Sequence, residues 1–218
     1  MPPKSTTRST KRSPATRKPS AASRGRIAQV EPAGDALSEE AIVDAATAII
    51  KEVGVKGLTM RRLSDDLGVA LGATYHHVAN RHALLSLVAG RVQEQVALPD
   101  ESGHWLSKVK ELLLNYVSVV GQYEGLAAFI MSSQETAPRT TDIAMHRYLD
   151  EAGFSKAGAE TVMSALFFYI AGTMVSGLMT TRVKGVSQRA LRARFNDGLD
   201  VLLKGVAIEL KEDRKRSR

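Results

Sequence analysis

Three observations predict an all-α fold for this chain of 218 residues. Apolar residues recur at spacings of three and four from Ile42 almost to the end of the chain. Capping residues and glycines punctuate these stripes at helix-length intervals. Two of the segments are very short and are separated by a glycine turn, which is the arrangement of a helix-turn-helix. The predicted architecture is a three-helix head carrying that motif over residues 38–85, joined to a longer helical bundle over residues 86–210.

The first helix carries Ile42, Ala45, Ala46, Ile49, Ile50 and Val53 on one stripe. Ser38 caps it, Glu39 and Glu40 complement the positive end of its dipole, and Gly54 stops it. The second starts at Thr59, an N-cap, with Leu58 and Leu63 as the two ends of a hydrophobic staple. It stops at Gly68, which is free to turn left-handed while Val69 folds back. A third helix begins two residues later and must leave at a steep angle. Asn80 then caps a fourth that carries Leu84, Leu85, Leu87, Val88, Val92 and Val96.

The bundle reads as further helices over residues 105–122, a short apolar segment at 125–133 ending near Gln134 to Pro138, then 140–152, 156–182 and 187–210. Ala165, Gly172, Ser176 and Gly177 are small enough to let another helix approach closely. Leu191, Phe195, Leu199, Leu202, Leu203 and Val206 form the stripe expected to face a pairing partner. Residues 162–181 approach the apolar length of a membrane span but are broken by Ser, Thr and Gly. They read as a buried helix, with no membrane association.

Charge is unevenly placed. The net charge is +7, yet the first thirty residues carry +8 and the last eight +3, which leaves residues 31–210 at −4. Residues 1–37 are rich in Pro, Ser, Thr, Lys and Arg and read as a disordered basic arm. Two readings compete for it: a solvated tail, or an arm laid along phosphates or inserted by Arg24, Gly25 and Arg26 into a minor groove. Residues 211–218 read as a basic C-terminal tail. No apolar run follows the N-terminal charges, so neither a secretory signal nor an anchor is expected, and the predicted compartment is the cytoplasm. Cysteine is absent, which excludes disulfides, thiolate chemistry and cysteine zinc sites.

The short helix pair places hydroxyl, aromatic and basic side chains where a DNA major groove could receive them. The stretch also carries a dense set of matching pieces. These are Ala45 and Ala46; Glu52, Val53 and Gly54; Gly57, Leu58 and Thr59; Arg61; Leu63; Leu67, Gly68 and Val69; Gly72 and Ala73; Tyr75; His77 and Val78; Asn80 and Arg81; and Ala83, Leu84 and Leu85. On these residues the chain resembles the DNA-binding head of the tetracycline-repressor (TetR) family of transcriptional regulators, and the rest resembles that family's all-helical body.

The resemblance implies that the third helix enters a major groove. Leu71, Gly72, Ala73 and Tyr75 then face the groove, Arg61 can pair with a guanine edge, and Thr59, Tyr75, His77 and Arg81 contact phosphates. Ala70 stands at the cap of that helix, where relatives carry a hydroxyl, and Thr74 replaces a larger apolar residue. The resemblance also implies a homodimer on a palindromic double-stranded operator, and a body that is a ligand-binding and dimerisation bundle. Its cavity would be lined from among Trp105, Asn115, Tyr116, Tyr123, Phe129, Met131, Ser132, His146, Phe167, Phe168, Tyr169 and Met174. The family's histidine ligands for a metal–drug complex have no counterpart in the segment Ala127, Ala128, Phe129, Ile130, Met131, Ser132. The implied effector is therefore an apolar or amphipathic small molecule, with no cofactor.

Two other readings are carried along. An architectural or partner-controlled DNA-binding protein would share the head and lack the small molecule. A helical-bundle enzyme would need chemistry beyond Glu101 and His104, whose Glu-x-x-His spacing is placed in a loop rather than on a helix face by Pro99 and Gly103. His76, His77 and His82 cluster in sequence, but no acidic or cysteine partner stands at ligand spacing, so no metal site is expected.

Overall fold

Local side-chain caps set the helix starts. In the computed structural model, which describes residues 37–133, 139–176 and 187–216, α1 (Glu39–Gly57) begins where Ala41 N donates to Ser38 Oγ at 3.1 Å. Helix α2 (Met60–Asp66) begins where Arg62 N donates to Thr59 Oγ1 at 3.0 Å. Leu58 and Leu63, the two staple positions, are both fully buried. At the end of α2, Gly68 turns left-handed (φ 67°), Gly68 N donates to Asp65 O and Val69 N to Ser64 O. That pair of bonds is a complete Schellman motif. Helix α3 (Leu71–His77) follows, capped by Ala70 without a side-chain bond, and α4 (Arg81–Glu94) starts where Ala83 N donates to Asn80 Oδ1 at 2.9 Å.

The bundle consists of α5 (Trp105–Val120), α6 (Leu126–Ser132), α7 (Thr140–Ala152), α8 (Lys156–Val175) and α9 (Gln188–Arg216). One core joins α5, α7, α8 and α9 around Tyr148, Leu149, Leu166 and Leu199. A second joins α1, α2 and α4 around Ile42, Leu63, Leu84 and Val88, and it also takes in Val120, Tyr123 and Leu126 from the α5–α6 corner. The head core is thus closed by residues from the bundle. Each fully buried leucine contributes about 1.5–3 kcal/mol through the area withdrawn from water.

Four expectations are corrected by this packing. The α1 stripe ends a turn early: Gly54 (φ 74°, ψ 172°) diverts the chain, and Val53, 40% exposed, lies over Gly57 outside the core. The α9 stripe does not face outward, because Leu191, Phe195, Leu199, Leu203 and Val206 are buried within the subunit. The outward face instead carries Val201 and Ile208. Helix α8 is long and apolar enough to cross a membrane, yet only one face is covered, and Phe167, Phe168 and Val175 are exposed. Finally, the basic tail is helical through Arg216, because Asp213 is buried at the α7–α8 corner. There it accepts from Ser155 N at 2.6 Å and Ser155 Oγ at 2.7 Å. The 1–36 arm, the segment 134–138, residues 177–186 and the last two positions lie outside the described residues, as do the readings made for them.

Candidate nucleic-acid interface and interior cavity

Helix α3 presents two faces. Thr74 and Val78 point inward and are buried, whereas Leu71 and Tyr75, one turn apart, are 43% and 45% exposed beside exposed Gly72 and half-buried Ala73. The inward face is held by a polar rivet: the Thr74 and Ser64 hydroxyls are 2.8 Å apart, and Ser64 Oγ donates to Met60 O at 2.9 Å. A larger apolar residue would do this by volume; threonine does it with a buried hydrogen bond between α2 and α3, satisfied at both ends. Because α3 is only seven residues long and uncapped, the rivet and the Schellman turn fix its direction relative to α2.

Around α3, Thr59, Arg61 and His77 are exposed. Arg61 and Arg62 differ sharply: Arg62 pairs with Glu52 at 3.2 Å and Asp66 at 3.8 Å, whereas Arg61 makes no ion pair among the described residues. Arg81, read from the sequence as a phosphate contact, turns inward. Its Nε donates to Leu58 O at 2.9 Å and an Nη to Val55 O at 2.6 Å. A guanidinium bonded to two carbonyls ties the start of α4 to the α1–α2 turn, so Arg81 positions the head. Val55 is held from the other side as well, its N–H donating to Glu124 O at 2.8 Å in the α5–α6 corner.

The bundle holds a half-open cavity of about 320 Å³. Most of its lining is apolar: Leu112 and Leu113 from α5, Ala127, Ile130 and Met131 from α6, Met145 from α7, and Met163, Leu166, Phe167, Ile170, Ala171 and Met174 from α8. Polar groups gather at one side, namely Gln93 of α4, Tyr116, Ser133, Arg139, Thr141 and Asp142. Gln93 Nε2 donates to Tyr116 Oη at 3.0 Å. Burial pushes the Tyr116 phenol above its ordinary pKa, so it stays a neutral donor and acceptor. The volume and the ratio of apolar to polar lining are those of a small-molecule site.

Of the predicted lining residues, Tyr116, Met131, Phe167 and Met174 are at the cavity. The others lie elsewhere. Trp105 packs edge-on against Phe154, and Asn115 Nδ2 donates to Ala97 O at 2.9 Å. Phe129 meets His82 edge-on, and Ser132 Oγ donates to Phe129 O. Tyr123 closes the head core, and Tyr169 stacks on Phe195. His146 and Phe168 are exposed. The sequence reading missed Gln93, Arg139, Thr141 and Asp142, which sit at helix ends where polar residues normally meet solvent. Glu101 pairs with Arg147, and His104 Nδ1 accepts from Leu106 N as the cap of α5, so this pair holds the α4–α5 loop. No group of three potential metal-ligating side chains occurs among the described residues.

No family model matches the chain. Among curated proteins it is similar to the class C tetracycline repressor protein of Escherichia coli, 29% identical over 143 residues. That match takes in 64% of this chain and 65% of the repressor, so it spans just under two thirds of the relative's length. Among solved structures the fold is similar to a variant of the tetracycline repressor of Acinetobacter baumannii AYE in complex with minocycline. The TM-score is 0.70 at 27% identity, covering 80% of this chain and 99% of that one. It is also similar to BioQ with its natural double-stranded DNA operator, at TM-score 0.64 and 26% identity, covering 79% and 99%.

Proposed function

We propose that the chain is a member of the tetracycline-repressor family and, from that premise, a sequence-specific DNA-binding repressor, released from its operator by an apolar or amphipathic small molecule. One observation carries this reading: α4 bears the head at its first turn, through Asn80 and Arg81, and lines the bundle cavity at its last, through Gln93. A ligand that binds one position of α4 better than another shifts the head by the difference in affinity. A neighbour of the same fold carries a small molecule in its structure and another carries operator DNA, which supports both partners.

In this reading α3 lies in the major groove. Leu71, Gly72, Ala73 and Tyr75 face bases or the groove wall, Arg61 forks onto a guanine, and Thr59, Tyr75 and His77 meet phosphates, with Ala70 at the helix entry. The protein works in the cytoplasm as a homodimer that sets two heads about 34–36 Å apart. The exposed apolar side chains Phe168 and Val175 of α8 and Val201 and Ile208 of α9 support a second copy as their cover. The apolar α6 wall of Ala127, Ile130 and Met131 favours an effector other than a metal–drug chelate. The cavity itself favours a ligand-responsive regulator over an architectural DNA-binding protein.

The test is fluorescence anisotropy on duplexes from the chain's own promoter region and on scrambled duplexes, titrated in salt. The expected result is a preference of about a thousandfold or more for the promoter. Arg61→Ala should reduce that preference by about 1–3 kcal/mol while leaving scrambled binding nearly unchanged. Equal, salt-sensitive binding to both duplexes would leave only electrostatic association.

A further inference from the structure

Gln93 is 6% exposed, and its side chain is half satisfied. Gln93 lines the cavity and its Nε2 donates to Tyr116 Oη, but its Oε1, buried beside the cavity, has no hydrogen-bond partner among the described residues. A buried amide oxygen left in that state is destabilising, and such atoms in native proteins ordinarily have a partner. Tyr116 accepts from Gln93 and directs its own hydrogen elsewhere, so the two residues together offer one acceptor and one donor. The charged groups beside them, Arg139 and Asp142, are of opposite sign and adjoin at the start of α7, where Arg139 N donates to Asp142 Oδ2 at 3.1 Å. The Arg139 guanidinium packs against Gly90 of α4, 3.3 Å from where a Cβ would stand. The polar side of the cavity is therefore formally neutral, and it is built onto α4.

We propose that the effector is a neutral, largely apolar molecule that presents a single hydroxyl or N–H donor to Gln93 Oε1. This rests on the reading of the cavity as an effector site and goes further by fixing the ligand's charge and its one obligatory polar group. The geometry also makes Gln93 the point where ligand chemistry meets head position, because it lies in the last turn of the helix whose first turn holds Val55 and Leu58 through Arg81. An apolar molecule without the donor fills the cavity but leaves the Gln93 carbonyl buried and unpaired. An anionic or cationic ligand adds a charge to a lining that already carries one charge of each sign, at Arg139 and Asp142.

The experiment uses the full chain and two probes with one frame, 2-naphthol and 2-fluoronaphthalene, measured by ligand-observed NMR titration. In the wild type, 2-naphthol should bind about tenfold more tightly, the ratio expected for satisfying one buried acceptor. In Gln93→Met, which keeps an unbranched chain of similar length, the two should bind alike. If Gln93→Met fails to fold by circular dichroism, the wild-type ratio decides alone. Equal binding of both probes to the wild type overturns the donor requirement and leaves the cavity reading standing. A preference that persists in Gln93→Met overturns the assignment to Gln93. Binding of neither probe up to its solubility limit overturns the effector-site reading and this inference with it.

Discussion

Replacing Gly54 with alanine tests whether the junction between α1 and the α5–α6 corner holds the head in place. Gly54 has φ 74° and ψ 172°, a backbone region essentially reserved for glycine, where a side chain adds about 1–3 kcal/mol of strain. An added Cβ would stand 3.1 Å from Glu124 Cβ and 3.2 Å from Glu124 O, so the corner must move by a few tenths of an ångström. That movement weakens the 2.8 Å bond from Val55 N to Glu124 O, worth about 0.5–1.5 kcal/mol. Together these give a loss of roughly 2–4 kcal/mol out of a typical total of about 5–15 kcal/mol. The melting temperature of a unit this size should fall by about 5–15 °C, read by far-UV circular dichroism and checked by urea unfolding. A loss below about 0.5 kcal/mol, the size of an ordinary surface substitution, would refute the argument.

Gly72→Ala is the same chemical change with the opposite expectation: no heavy atom stands within 4 Å of the new Cβ, so stability should rise by about 0.5–1 kcal/mol. If Gly72 faces the groove, operator affinity measured by anisotropy should fall in the same variant, and unchanged affinity would remove Gly72 from the interface. Asp213 is held below the ordinary carboxylate range chiefly by the Ser155 backbone N–H, then by the Ser155 hydroxyl. Its contribution is therefore complete above a pH of about 3.9 and lost as the pH falls through the lower folded value. The melting-temperature advantage of the wild type over Asp213→Asn should be flat from neutral pH to about 5 and shrink on further acidification; a gap that widens in acid contradicts the assignment. Phe168→Glu combined with Val201→Glu puts two charges on the exposed α8 and α9 face. Sedimentation should then show a folded monomer with weakened operator binding, and an intact dimer would place the subunit contact elsewhere.

The head was legible because its determinants are local. Ser38, Thr59 and Asn80 each cap an N–H three residues on, and Gly68 closes a turn whose bonds reach back three and five residues. Such bonds depend on the neighbouring sequence alone, and so do the stripes that mark α5 and α7. What a stripe faces is a different question. Leu191, Phe195 and Leu199 look the same in sequence whether they meet another helix of the chain or a second subunit, and only the packing of α9 on α5 and α8 assigned them to the interior. Asn115 and Tyr116 are adjacent in sequence but about 100° apart around α5. One is turned to the Ala97 carbonyl and the other to the cavity, and nothing in the local sequence says which of the two faces the helix turns inward. Arg81 could reach phosphate or carbonyl, and the α1–α2 turn decided it by placing Val55 O and Leu58 O within its span. The chain's own neighbours determined where helices begin and end; contacts distant in sequence decided which of their faces became core, cavity or surface, because relative helix placement is set by the sum of many weak packing contacts.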